Sequence, residues 1–83
     1  MRVEFIKESD RFRHIFKKLN NFMKERVEKQ IRKLVLNPHI GKPMRYNRKG
    51  TREVYIGHFR LSYAYFIEEN KIILLDFYHK DEQ

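Results

Sequence analysis

Cysteine and tryptophan are absent from this 83-residue chain, and glycine and proline are scarce, at three and two residues. Without cysteine there is no disulfide frame, no thiolate metal site and no cysteine nucleophile. The four histidines form no i,i+4 pair and have no supporting carboxylate pattern, so neither a metal nor a cofactor is expected. No apolar run approaches the ~20 residues of a membrane-crossing helix, and Met1 to Lys7 is too charged for a secretory signal. The expectation is a soluble, cytoplasmic protein with no membrane partner. Carboxylates are also in deficit. Eleven Asp and Glu face nineteen Lys and Arg, a formal charge of +8 that surface pairing cannot absorb. Such an excess points to a polyanion, nucleic acid first, although an acidic protein satisfies it equally.

Aromatic residues are plentiful by contrast. Seven Phe and five Tyr suffice for one modest core, and the length suits a single domain over residues 1–83. Arg2 to Lys7 reads as an opening strand. Ser9 and Asp10 offer N-cap oxygens to a helix in which Phe12, Ile15, Phe16 and Leu19 recur at i, i+3, i+4 and i+7, ending near Asn20 and Asn21. A second helix has Met23, Val27, Ile31, Leu34 and Val35 as its apolar stripe. Its outer face pairs Glu25 with Lys29 and Glu28 with Arg32, and Asn37-Pro38 ends it. Asn37 to Gly50 reads as a basic loop. Three strands follow, Thr51 to Ile56, Phe59 to Ile67 and Lys71 to His79, joined by Gly57-His58 and by Glu68-Glu69-Asn70. The order β-α-α-β-β-β predicts an α+β fold, a small antiparallel-rich sheet with an N-terminal helical hairpin packed on one face.

The run Gly57 to Tyr65 organises this reading. Alternation places Phe59, Leu61, Tyr63 and Tyr65 on one side of a strand and Arg60, Ser62, Ala64 and Phe66 on the other. The first set reads as core. The second puts a cation among small side chains, which suits an anion; the alternative is an arginine whose stem covers apolar surface and whose head is solvated.

Gly57-His58-Phe59-Arg60-Leu61-Ser62-Tyr63 resembles the glycine, aromatic, arginine, aliphatic, X, tyrosine strand of the RelE/ParE superfamily of type II toxin–antitoxin toxins. The likeness extends to a hydrophobic strand ending in Tyr78-His79-Lys80. Upstream it includes Asn37-Pro38 and Gly41-Lys42-Pro43, which are similar to segments of YoeB-like and RelE-like members. The resemblance runs essentially from end to end and implies a RelE-like microbial ribonuclease fold. It further implies a toxin that enters the ribosomal A site and cuts the mRNA there without a metal, held inactive by an acidic RelB-like antitoxin. Such cleavage uses the 2′-OH of the RNA as nucleophile. The protein must then stabilise the phosphorane, accept the 2′ proton and supply a proton to the leaving 5′-oxygen.

By motif position, the resemblance gives Arg60 the phosphorane and His79 the part of general acid, an imidazole being the side chain that ordinarily titrates nearest neutrality. Lys80 stands where RelE has a second catalytic cation. Thr51 and Glu53 replace the lysine pair of RelE, and Met44 replaces the carboxylate of YoeB. Glu53 is left as the nearest carboxylate for the base, its alternative being a strand glutamate paired with Lys or Arg. Lys42, Arg45, Arg48, Lys49 and Arg52 read as RNA-binding cations, and Tyr78 as a ring for base stacking. ParE members share the fold and inhibit DNA gyrase without cutting, and a degenerate toxin that only binds its antitoxin is a further alternative. The basic loop generates a first prediction. Alanine at Lys42 or Arg45 weakens RNA association with little codon dependence, each lowering the salt slope by about 1. A slope unchanged in a triple alanine variant of the loop removes the assignment.

Overall fold

The structure, a computed structural model, describes residues 2–45 and 50–82. Strand β1 (Phe5–Glu8), helices α1 (Asp10–Phe16) and α2 (Asn21–Leu36), and strands β2 (Lys42–Pro43), β3 (Arg52–Ile56), β4 (Phe59–Phe66) and β5 (Lys71–His79) follow in chain order. They build one five-stranded sheet, ordered β1-β5-β4-β3-β2. β1 runs parallel to β5, and the other neighbours are antiparallel. The α+β expectation holds, with three differences of detail. A two-residue strand, β2, lies inside the expected loop; it is too short to alternate visibly, and its proline confines it to a sheet edge. β1 starts at Phe5 rather than Arg2, because Val3 turns into the core and donates its N–H to the carbonyl of Val35 at 2.9 Å. α1 stops at Phe16, where Lys18 and Leu19 close i,i−3 turns onto Ile15 and Phe16.

Asn20 restarts the chain as a helix. Its side-chain oxygen accepts the N–H of Met23 at 2.8 Å, an N-cap that satisfies one donor the helix leaves open. Val27 and Leu34 of α2 and Phe12 of α1 pack against Val54, Ile56, Leu61, Tyr63, Ile72, Leu74 and Phe77 from the sheet. Each fully buried aliphatic or aromatic side chain of this set contributes roughly 1.5–3 kcal/mol. The helices cover this face of the sheet, and among the described residues no helix covers the other. Among the described residues no helix is long and apolar enough to cross a membrane.

β5 carries the one irregularity that bears on function. Ser62 pairs with Asp76 but Tyr63 pairs with Leu74, so Leu75 is an extra residue on β5. Ser9 occupies the bulge. Its hydroxyl donates to the Leu75 carbonyl at 2.7 Å and accepts the N–H of Phe12 at 3.0 Å, while its own N–H donates to the Leu74 carbonyl at 2.9 Å. The cap of α1 and the bulge of β5 are thus one hydrogen-bonded unit. Beyond the bulge the parity of β5 reverses: Phe77 and His79 join Ile72 and Leu74 on the helix side, and Asp76 and Tyr78 face the open side.

Tyr63, fully buried, ties the end of α2 to the sheet. Its hydroxyl donates to the Pro38 carbonyl at 2.8 Å and accepts the Gly41 N–H at 2.9 Å. A Cβ on Gly41 would stand 2.4 Å from that hydroxyl oxygen, so the approach requires glycine. Burial pushes the Tyr63 hydroxyl above its ordinary 10.0, against smaller downward pulls from the Gly41 amide and from Arg52. The native state then holds a proton that the unfolded chain has begun to release. This stabilisation is complete below pH 10.0 and is lost as pH rises through the folded value. Urea titrations above about pH 10 should therefore show stability falling more steeply in the wild type than in Tyr63→Phe. Equal slopes mean that Tyr63 ionises like an exposed tyrosine.

Candidate functional site

Cross-strand register fixes what stands on the open face. The two-residue connection Gly57-His58, with Gly57 in a left-handed conformation (φ 60°), sets Ile56 against Phe59 and therefore Tyr55 against Arg60. On the other side of β4, Arg60 is the Cα partner of Tyr78 and Ser62 that of Asp76. Glu53 sits between Lys42 and Ser62 in the same way. Lys42, Glu53, Tyr55, Arg60, Ser62, Asp76 and Tyr78 consequently share one face.

Arg60 is held there by three contacts. Its guanidinium lies 3.8 Å above the ring of Tyr55, and Nη1 donates to the carbonyls of Phe59 at 3.0 Å and Gly57 at 3.2 Å. Among the described residues those bonds engage Nη1 alone, which leaves Nε and Nη2 able to grip an anion in a fixed plane. Tyr55 is 55% exposed, so the platform faces solvent.

Behind Arg60 is a buried carboxylate. Glu53 is only 4% exposed and accepts a hydrogen bond from the hydroxyl of Tyr78, itself 8% exposed. The bond spans β4 between the levels of Ser62, the partner of Glu53, and Arg60, the partner of Tyr78. A carboxylate removed from water demands such a donor, since an unsatisfied one costs several kcal/mol, of the order set by ion desolvation. Asp76, the other acid on this face, is engaged by Arg11, whose Nε lies 3.0 Å from Oδ1. A concavity of about 480 Å³ opens over the site, lined by Lys42, Met44, Arg45, Glu53, Tyr55 and Arg60 among others. A fixed guanidinium, a buried carboxylate and a cationic rim thus meet in one place.

The structure brings together Arg60, Glu53, Lys42, Arg45 and Tyr78 from the residues that the sequence singles out, and separates three others. His79 lies on the helix side. The Leu75 bulge reverses the parity of β5, so His79 pairs with Phe59, meets its ring edge-on at 5.2 Å and lies 6.1 Å from the ring of His58. Its Nδ1 is 3.5 Å from Asp81. Arg52, read as RNA-binding, also projects to the helix side, where Nη1 donates to the carbonyls of Gly41 at 2.7 Å and His39 at 3.1 Å. Lys80 is exposed beyond the end of β5, its N–H given to the His58 carbonyl at 2.8 Å. Arg48 and Lys49 lie outside the described residues. Sequence reasoning missed Tyr55, although counting back across the Gly57-His58 turn places it opposite Arg60. Among the described residues no three His, Cys, Asp or Glu side chains gather as metal ligands.

The family described as ParE toxin of type II toxin-antitoxin system, parDE, matches residues 6–83. Comparison with curated proteins gives no match. Among solved structures, the chain is similar to a RelBE toxin–antitoxin complex from Mycobacterium tuberculosis, at 25% identity over 90% of this chain and 95% of that one, with a TM-score of 0.82. It is similar in fold to a mutant of the E. coli toxin RelE in the free state, at 15% identity, 100% and 88% coverage and a TM-score of 0.82. The YoeB/ParE toxin from Agrobacterium tumefaciens shares the fold at 12% identity, 92% and 98% coverage and a TM-score of 0.81. With the family spanning nearly the whole sequence, and this sheet and helix arrangement recurring in RelE and YoeB toxins, the chain belongs to the ParE toxin family and is the toxin of a type II toxin–antitoxin system.

Proposed function

We propose that this toxin is a ribosome-dependent endoribonuclease that cuts mRNA in the A site, in the cytoplasm, with Arg60 and Glu53 at the centre of the reaction. The observation that carries the reading is the oriented Arg60 guanidinium beside the buried Glu53–Tyr78 pair, under a rim of Lys42 and Arg45. In the proposed reaction the 2′-oxygen bonds to the adjacent phosphorus and the bond from phosphorus to the 5′-oxygen breaks. The Glu53 carboxylate takes the 2′ proton, and the Tyr78 hydroxyl holds that carboxylate in place. Arg60 stabilises the phosphorane. The departing 5′-oxygen takes a proton from Lys42, since the guanidinium of Arg45 does not release protons in proteins. The products are a 2′,3′-cyclic phosphate and a 5′-hydroxyl. The ribosome supplies the in-line geometry in this reading, and naked RNA is cut negligibly.

Primer extension on a programmed ribosome tests the assignment. Arg60→Ala should lower the cleavage rate about 10²–10³-fold, as for loss of one preorganised donor to a developing oxyanion. Glu53→Gln should cost about 10²–10⁴-fold, as for loss of a general base. His79→Ala, on the opposite side of the sheet, should leave the rate within a few-fold. A His79→Ala loss as large as that of Arg60→Ala, with Glu53→Gln active, returns the proton chemistry to the C-terminus.

The family match itself favours a second reading, a toxin that inhibits DNA gyrase without cutting anything. Stalled supercoiling with intact mRNA selects it. Under either reading the +8 charge calls for an acidic antitoxin, and RelB-type antitoxins accompany the RelE toxins in structurally similar complexes. Co-expression with the neighbouring reading frame should yield a complex that survives purification and abolishes toxicity. If no complex forms and the toxin stays active, the partner has another source.

A further inference from the structure

We propose that Tyr63 and Arg52 are positioning residues that act through the sheet, fixing from its helix side where Lys42 and Arg45 stand on its open side. The proposal deepens the ribonuclease reading and rests on it. Tyr63 and Arg52 are Cα partners across β4 and β3 and project together toward the helices. The turn that follows α2 folds over both. Tyr63 takes the Pro38 carbonyl and the Gly41 N–H, while Arg52 takes the carbonyls of His39 and Gly41. A hydroxyl both donates and accepts whereas a guanidinium only donates, so the pair satisfies both polarities of the turn. The chain leaves this clamp directly into β2.

β2 is two residues long and lies at the sheet edge, where its Cα partners are Glu53 and Arg52 and the N–H of Met44, just beyond it, goes to the Thr51 carbonyl at 3.0 Å. Successive strand residues face opposite sides, so a slip of one position would exchange Lys42 with its neighbour and carry the ammonium off the open face. The clamp ends at Gly41, one residue before Lys42, and so fixes that register. Its precision comes from the Gly41 approach, which no side chain can enter. Arg52 thus serves the rim without touching RNA.

The test is a pair of double-mutant cycles on affinity for 70S ribosomes programmed with a 2′-O-methyl mRNA, which can bind but cannot be cut. Tyr63→Phe keeps the ring and removes the hydroxyl. Alone it should weaken binding on the order of 3- to 10-fold, the equivalent of one buried hydrogen bond. Lys42→Ala should add little in the Tyr63→Phe background, because the ammonium has already lost its place, whereas Arg60→Ala should add its full effect. Equal coupling to both partners marks a general loosening of the fold and overturns the proposal, as does full additivity with Lys42→Ala. Should Tyr63→Phe fail to fold, Arg52→Gln runs the same cycles from the other half of the clamp. If the wild type binds no programmed ribosome, the ribonuclease reading falls and the proposal with it. If it binds and the Lys42 cycle is additive, the reading stands and only the clamp falls.

Discussion

A strand can change which of its side chains meet a given face only by gaining or losing a residue in its pairing. β5 does so once, at Leu75, and the arrangement of the site depends on it. Without the extra residue, the alternation set by Ile72 and Leu74 would continue through Asp76 and Tyr78 into the core. That would bury a carboxylate among Leu61, Phe12 and their neighbours. The bulge instead delivers Phe77 to the core, and Asp76 and Tyr78 to the open face. Ser9 makes the arrangement definite, since one hydroxyl both caps α1 and takes the carbonyl of the bulged residue.

The site then follows from the energetics of charge near an interior. A buried glutamate is tolerable when a donor reaches it, and Tyr78 reaches Glu53 across β4, between the levels of Ser62 and Arg60. An arginine on an exposed sheet face ordinarily samples many rotamers; stacking on Tyr55 and bonding to the hairpin carbonyls confine this one. Carboxylate and cation are therefore both set before any ligand arrives. This is the condition under which electrostatic stabilisation is worth most, because nothing has to reorganise at the moment of reaction.

Much of this was legible in the sequence. Helical periodicity located both helices, and Ser9 and Asn20 announced their starts because an N-cap is a local chemical requirement. The alternation around Arg60 divided β4 correctly, with Leu61 and Tyr63 buried and Arg60 and Ser62 on the other side. The C-terminal pair was not legible. Choosing between Tyr78 and His79 requires the parity of β5, and a bulge inside a continuous apolar run leaves no periodic trace. The contacts of Arg52 were illegible for a related reason, since composition counts a cation without saying which carbonyls it serves. β2 escaped because two residues carry no pattern.

The closeness of Gly41 and Tyr63 has a consequence for how such a sequence can vary. With 2.4 Å between the hydroxyl oxygen and a hypothetical Cβ, the two positions are complementary in shape as well as hydrogen-bonded. Enlarging position 41 is tolerated only in a chain that has already shortened position 63. A chain with a smaller residue at 63 in turn leaves the Pro38 carbonyl without its donor. Neutral drift through single substitutions is therefore closed at both ends, and the two residues, 22 apart in sequence, behave as one heritable unit.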